Sequence, residues 1–208
     1  MQIDLEQLRA SLEEKLVKSL MLSRILVGKA RMIDEQSRLT SAYTDPHYLP
    51  FYYYLGSLIE PQNVVEIGFR LGLLGSCLMQ GCKTIQTYLA AQEPTESFYS
   101  PRLGRANVKD HFKGELIIHT GLITDNYFID TLDSRLWDLA IVNEEVGYDK
   151  HMAYLDMLWE RMSVDGLIVV DYLTRHKPAS QSFFDFVKVR NRKPVLLNTR
   201  YGVGIIQR

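Results

Sequence analysis

The chain has 208 residues, a length that suits one compact domain at roughly 100–200 residues per domain. Its 46% hydrophobic and 24% charged content is that of a folded globular protein and excludes a disordered chain. Lys plus Arg number 24 and Asp plus Glu 25, a net charge of −1, which offers no bulk attraction to a polyanion such as nucleic acid.

The chain opens on Leu5, Leu8, Leu12, Leu16 and Leu20, whose three- and four-residue steps predict one amphipathic helix from Asp4 to about Gly28. Asp4 followed by Gln7 has capping-box spacing. A polar stretch, Ser37 to Asp45, leads through Asp45-Pro46 to the aromatic run Tyr48–Leu55. That run reads as a second, buried helix ending near Glu60-Pro61. Its tyrosines are core or the wall of an aromatic pocket.

Beyond Pro61 short apolar runs alternate with helical stretches. Val64–Ile67, Thr84–Leu89, Leu116–His119, Leu139–Val142 and Gly166–Asp171 are expected strands. Helices are expected after Gly72, Pro101, Asp125 and Gly147, and around Ser180–Val189. In the helix after Gly147, Tyr148, Met152, Leu155, Trp159 and Met162 fall on one face. Such alternation indicates a parallel sheet covered on both sides. Pro194–Asn198 and Val203–Gln207 then form a hairpin turning at Tyr201-Gly202. The expected architecture is α/β: a three-layer sandwich with a mostly parallel seven-stranded sheet ending in an antiparallel hairpin. Residues 1–44 form an N-terminal helical extension and 45–208 the main domain.

The two cysteines, Cys77 and Cys82, are too few for a zinc site or a disulfide framework and read as reduced thiols. No apolar run approaches the ~18 residues needed to span a bilayer, and the acidic N-terminus does not read as a signal peptide. The expectation is a cytoplasmic protein with no membrane and no nucleic-acid partner.

The most informative stretch is Val64-Val-Glu-Ile-Gly-Phe-Arg-Leu-Gly-Leu-Leu-Gly75-Ser76, a buried strand running through glycines into a helix. Glycines at the carboxyl end of the first strand of an open parallel sheet let the backbone approach a bound nucleoside. Equally, Gly68 and Gly72 could serve only a tight strand-to-helix turn. No Ser-His-Asp set, phosphate loop or H-E-x-x-H accompanies them.

Glu66 before the first loop glycine, Trp137-Asp-Leu-Ala-Ile-Val-Asn-Glu144, Val164-Asp-Gly-Leu-Ile-Val-Val-Asp171 and the closing Arg200–Gln207 segment, in that order, resemble the class I S-adenosylmethionine-dependent methyltransferases, nearest to their small O-methyltransferase-like group. The resemblance covers about residues 45–208 and implies a Rossmann-like fold and S-adenosylmethionine as cofactor. It places Gly68 and Gly72 against the methionine portion and Glu66 near its ammonium, with Arg70 in the middle of the loop. A guanidinium there repels the sulfonium unless it points away or pairs with a carboxylate. The ribose position at the end of the second strand falls to Gln92 or to Glu93, and Gly121 follows the third strand at the adenine side.

At the catalytic end the resemblance selects Asn143, which it also counts among the cofactor contacts, and Asp171, with Asp171 as general base or hydrogen-bond acceptor and a structural carboxylate as the other reading. His176, five residues on, is either a base or a solvated loop histidine. Metal-dependent relatives use three oxygen ligands here. This chain offers Asn143, Asp171 and Tyr172, a single carboxylate, so no divalent metal is expected, although Glu144, Glu145 and Asp149 lie close in sequence. Two functions follow. One is methyl transfer from S-adenosylmethionine to a small-molecule acceptor, with oxygen as nucleophile. The alternative is a methyltransferase-like binding or assembly module without chemistry. The leucine face of the first helix covers an acceptor pocket or makes a homodimer contact.

Overall fold

The computed structural model describes residues 3–29, 45–93 and 100–208; the expected polar stretch Ser37 to Asp45 lies outside these apart from Asp45. Along the chain run α1 (Leu5–Val17), α2 (Leu20–Lys29), α3 (Tyr48–Ile59), β1 (Asn63–Ile67), α4 (Leu73–Gly81), β2 (Thr87–Gln92), α5 (Pro101–Lys109) and β3 (Glu115–Thr120). They are followed by α6 (Asn126–Asp133), β4 (Trp137–Val142), α7 (Tyr148–Trp159), β5 (Met162–Val170), α8 (Lys177–Val189), β6 (Val195–Leu197) and β7 (Val203–Gln207).

Among the described residues seven strands form one sheet in the order β3-β2-β1-β4-β5-β7-β6. Pairs β1–β2, β1–β4, β2–β3 and β4–β5 are parallel, and β7 runs antiparallel to both β5 and β6. The chain therefore has the expected fold. Strand alternation divides the core in two: Val64 faces the layer holding α1 to α5, and Val65 and Ile67 face α6 to α8. The sheet reverses direction of winding between β1 and β4, which is where open α/β sheets leave a crevice at their carboxyl ends.

Four local expectations are corrected. The single N-terminal helix is two, broken at Lys18-Ser19: the Ser19 hydroxyl donates to the Leu16 carbonyl at 2.7 Å and contacts the Pro46 carbonyl at 2.8 Å, so a side chain competes with the helical ladder. Asp4 does cap α1, accepting from the Glu6 and Gln7 amides at 3.0 and 3.1 Å. The second strand starts at Thr87 rather than Thr84, because Thr84 Oγ1 turns back to the Pro61 carbonyl at 3.1 Å; Gln92 thereby becomes the last residue of β2. The fifth strand begins earlier, at Met162, so that residue leaves the expected face of α7. The buried residues of α7 are His151, Tyr154, Leu155, Leu158 and Trp159.

Leu8, Leu12 and Leu16 of α1 are buried in the same core as Tyr48, Leu49, Phe51, Tyr52 and Leu55 of α3. The leucine face thus meets the chain's own aromatic helix. Among the described residues no helix is long and apolar enough to cross a membrane.

Candidate functional site

The carboxyl ends of β1, β4 and β5 bring three residues into line. Val142 stands beside Ile67 and beside Val170, so the next residues, Gly68, Asn143 and Asp171, sit side by side at the sheet edge. The ladder continues through them: the Asn143 amide donates to the Ile67 carbonyl at 2.8 Å and the Asp171 amide to the Val142 carbonyl at 3.0 Å. Period-2 alternation puts the side chains of Asn143 and Asp171 on the α3 and α4 side, together with Glu66 one pleat below.

Gly68 has φ 94°, and a Cβ there would collide with the Asn143 carbonyl. Gly72, the N-cap of α4, has φ 64°, and its Cβ would meet the Phe69 ring at 2.7 Å and the Gly104 carbonyl at 2.8 Å. Both glycines are required by the close approach of neighbouring backbone and ring, which joins the loop to β4 and α5. Between them Arg70 has φ 49°. Its amide donates to Gln92 Oε1 at 2.7 Å, and its Nη1 donates to the Tyr172 hydroxyl at 3.0 Å, spanning from the β1 loop to the residue after Asp171.

Two buried acid–phenol pairs occupy the space beneath. The Tyr88 hydroxyl donates to Glu66 Oε2; a Cβ on Gly75 of α4 would collide with that hydroxyl, so the glycine admits it. The Tyr52 hydroxyl donates to Asp171 Oδ2. Tyr48, one helical turn earlier, places its hydroxyl 3.1 Å from Asn143 Oδ1 and 3.3 Å from Asp171 Oδ2, and Asn143 Nδ2 donates to the Gly68 carbonyl at 3.3 Å. Glu66 Oε1 and Asp171 Oδ1 are buried with no hydrogen-bond partner. Burial outweighs the phenol hydrogen bonds and the Arg70 charge, pushing Glu66 up to about 8 and Asp171 up to about 7.

The remaining sequence-selected residues lie around this edge. Gln92 Nε2 donates to the Glu93 carbonyl at 3.1 Å. Glu93 turns to the other side of the sheet, where it pairs with Lys150 and accepts from the Tyr154 hydroxyl at 3.2 Å. Gly121 follows β3, its amide donating to the Gln92 carbonyl at 3.3 Å. His176 is not brought to Asp171: it is the N-cap of α8, its Nδ1 accepting from the Ala179 amide at 3.3 Å. Buried His151 is held down at about 4, chiefly by burial and further by its proximity to His176.

Sequence reasoning missed Tyr52 and Tyr88 as the partners of the two carboxylates, and Lys150 as the partner of Glu93. The four-residue step from Tyr48 to Tyr52 was the available signal, because it sets both hydroxyls on one helix face. Among the described residues no group of three His, Cys, Asp or Glu could hold a metal ion.

No family model matches the chain, and no curated protein matches it in sequence. Solved structures match it over nearly its whole length. The O-methyltransferase NovP is 14% identical, with 95% of this chain and 99% of that one covered at a TM-score of 0.66. The O-methyltransferase TomG from Streptomyces achromogenes, involved in tomaymycin synthesis and solved with S-adenosylmethionine, is 12% identical, with 99% of each chain covered and a TM-score of 0.63. The O-methyltransferase from Bacillus cereus, in complex with S-adenosylhomocysteine (SAH), is 13% identical, with 99% and 100% covered and a TM-score of 0.60. At these identities the likeness is one of fold: this chain has the Rossmann-like methyltransferase fold.

Proposed function

We propose that the chain is an S-adenosylmethionine-dependent methyltransferase acting on a small acceptor through an oxygen nucleophile. The observation that carries this reading is the alignment of Gly68, Asn143 and Asp171 at the carboxyl edge of β1, β4 and β5, on a fold whose crevice lies at that edge.

The donor set supports the cofactor. Glu66 Oε1 and Asp171 Oδ1, both buried without a partner, suit a ligand whose methionine end carries an ammonium and a sulfonium. Arg70 suits that end's carboxylate, and its guanidinium then balances the ligand instead of repelling it. Gln92 and the main chain at Gly121 stand at the ribose and adenine side, with an amide in place of an acid. Bound there, the cofactor supplies an electrophilic methyl group. Asp171, its carboxyl near 7, takes the acceptor's proton at neutral pH, while Asn143 holds the acceptor's oxygen beside it. Because this transfer asks chiefly for alignment, few further groups are needed. The free, buried thiols of Cys77 and Cys82 agree with a reducing cytoplasmic setting.

A second reading has an observation of its own. Arg70 reaches Tyr172 across the crevice and Glu93 is committed to Lys150, as in a methyltransferase-like binding or assembly module without chemistry. Titration calorimetry with SAH separates the two. Micromolar affinity supports the enzyme; no heat at millimolar SAH favours the module.

A further inference from the structure

Charge is spread unevenly along this nearly neutral chain. From Tyr172 to Arg208 it carries eight Lys and Arg against one acid, Asp185, and that acid accepts from the Tyr148 hydroxyl at 3.0 Å. Two of the cations converge on one ring. The Cζ atoms of Arg175 and Arg200 lie 5.7 and 5.6 Å from the centroid of Tyr201, and both arginines are exposed while the ring is buried. Arg175 belongs to the loop after β5 and Arg200 to the turn between β6 and β7, two segments tied together by main chain. The Leu173 and Thr174 amides donate to the Gly202 and Tyr201 carbonyls at 3.2 and 3.0 Å, and Thr174 Oγ1 donates to the Arg200 carbonyl at 3.1 Å. Gly202, at φ 70°, leaves no room for a Cβ against Thr174. The stems of the two arginines are therefore held in a fixed relation.

Among the described residues neither guanidinium makes an ion pair, whereas Arg135, Arg161 and Arg190 each hold an acid. Arg175 also stands where a cation is unfavourable. It directly precedes His176, the N-cap of α8, and the first turn of that helix contains no acid; the positive end of a helix repels cations and favours anions. From the two arginines Tyr201 leads inward. Its ring meets those of Tyr48 and Tyr172 edge-on at 5.9 and 5.7 Å, and the Tyr48 hydroxyl lies 3.3 Å from Asp171 Oδ2. Resting on the reading of this crevice as a methyl-transfer site, we propose that Arg175 and Arg200 bind an oxyanion carried by the methyl acceptor itself, a carboxylate or a phosphate, while the oxygen to be methylated lies at Asp171. Guanidiniums laid over a ring keep their N–H edges for a ligand, so two forks can meet one oxyanion. A layer of buried tyrosines separates that point from Asp171, so the acceptor has its anion and its nucleophile at opposite ends. Arg70 is left to the carboxylate of the cofactor.

Nitrogen-15 NMR of the full chain, titrated with benzoate and separately with inorganic phosphate at low salt, tests this through the arginine side-chain Nε–H signals. Arg175 and Arg200 are expected to shift together with millimolar affinity, and the tighter probe tells carboxylate from phosphate. The double variant Arg175→Gln, Arg200→Gln is expected to weaken that binding at least tenfold. Arg192→Gln with Lys193→Gln makes the same change of charge beyond the far end of α8 and is expected to leave it within twofold. No shift of either arginine at tens of millimolar of both probes, or equal weakening in the two double variants, overturns the proposal. SAH added to the same samples keeps the two questions apart. Anion binding that survives saturating SAH is expected; displacement by SAH gives the arginines to the cofactor and overturns the acceptor site. Anion binding in a chain that takes no SAH refutes the methyltransferase reading and leaves the oxyanion site standing.

Discussion

Arg70 and Tyr172 meet across the mouth of the crevice with both backbones left-handed, φ 49° and 65°. The guanidinium donates to the hydroxyl at 3.0 Å, and its Cζ lies 5.6 Å from the ring centroid. A side-chain-bearing residue in that conformation costs about 1–2 kcal/mol, and such outliers gather at functional sites. Two of them in contact, one in the glycine loop and one after Asp171, point to a role beyond stability.

If Arg70 pairs with the carboxylate of the bound cofactor, Arg70→Gln weakens SAH binding at least tenfold, about 1.4 kcal/mol. It leaves 5′-methylthioadenosine, which lacks the amino-acid portion, unaffected. Calorimetry with both ligands checks this. Equal losses for the two, or tighter SAH binding in the variant, contradict the assignment.

Gly68→Ala places a methyl group against the Asn143 carbonyl at φ 94°. The clash is with main chain and cannot be relieved by a rotamer change. A loss of roughly 2–4 kcal/mol is expected, seen as a fall of about 5–10 °C in Tm. A shift under about 1 °C would show that the β1 loop and β4 are not in contact as described.

Stability depends on pH through the same carboxyls. Folded Glu66 and Asp171 hold protons to about 8 and 7, against ordinary values of 4.5 and 3.8, so the folded chain binds more protons than the unfolded one across that window. Stability therefore falls as pH rises toward 8 and then levels off. His151, lowered from 6.5 to about 4, acts in the opposite sense below pH 6.5, which leaves the decline cleanest between 6.5 and 8. Scanning Tm over pH 6.5–9 should show it, and Glu66→Gln should flatten it. A rise over that range contradicts the assignment.

Lys150→Met leaves Glu93 buried with only the Tyr154 hydroxyl and is expected to cost roughly 1–2 kcal/mol, held down because Lys150 is partly exposed. Glu93→Gln removes the charge and keeps an acceptor for Tyr154, so it should cost less. Urea unfolding of both variants gives the order; the reverse order would refute a stabilising ion pair.

The fold was legible because strand and helix alternate from Val64 onward and each strand carries a continuous apolar run, a pattern that few architectures satisfy. The glycine loop was legible for the same reason, since Gly68 and Gly72 lie at the strand-to-helix junction where space is tightest. The contents of the crevice were not. Tyr52 and Asp171 are 119 residues apart, and nothing in either segment announces the other. The direction Glu93 takes depends on Lys150 of α7, which a reading of the β2 segment alone does not contain. His176 followed the fifth strand at a suggestive distance, but α8 begins there, and a cap was the nearer use for its ring.

The most direct test is a crystal structure of the protein soaked with SAH near pH 8.5. Adenosine density is expected between Gly68, Gln92 and Gly121, with the amino-acid carboxylate against Arg70. A crevice still closed by Tyr48, Tyr52 and the Arg70–Tyr172 bridge at saturating SAH would contradict it.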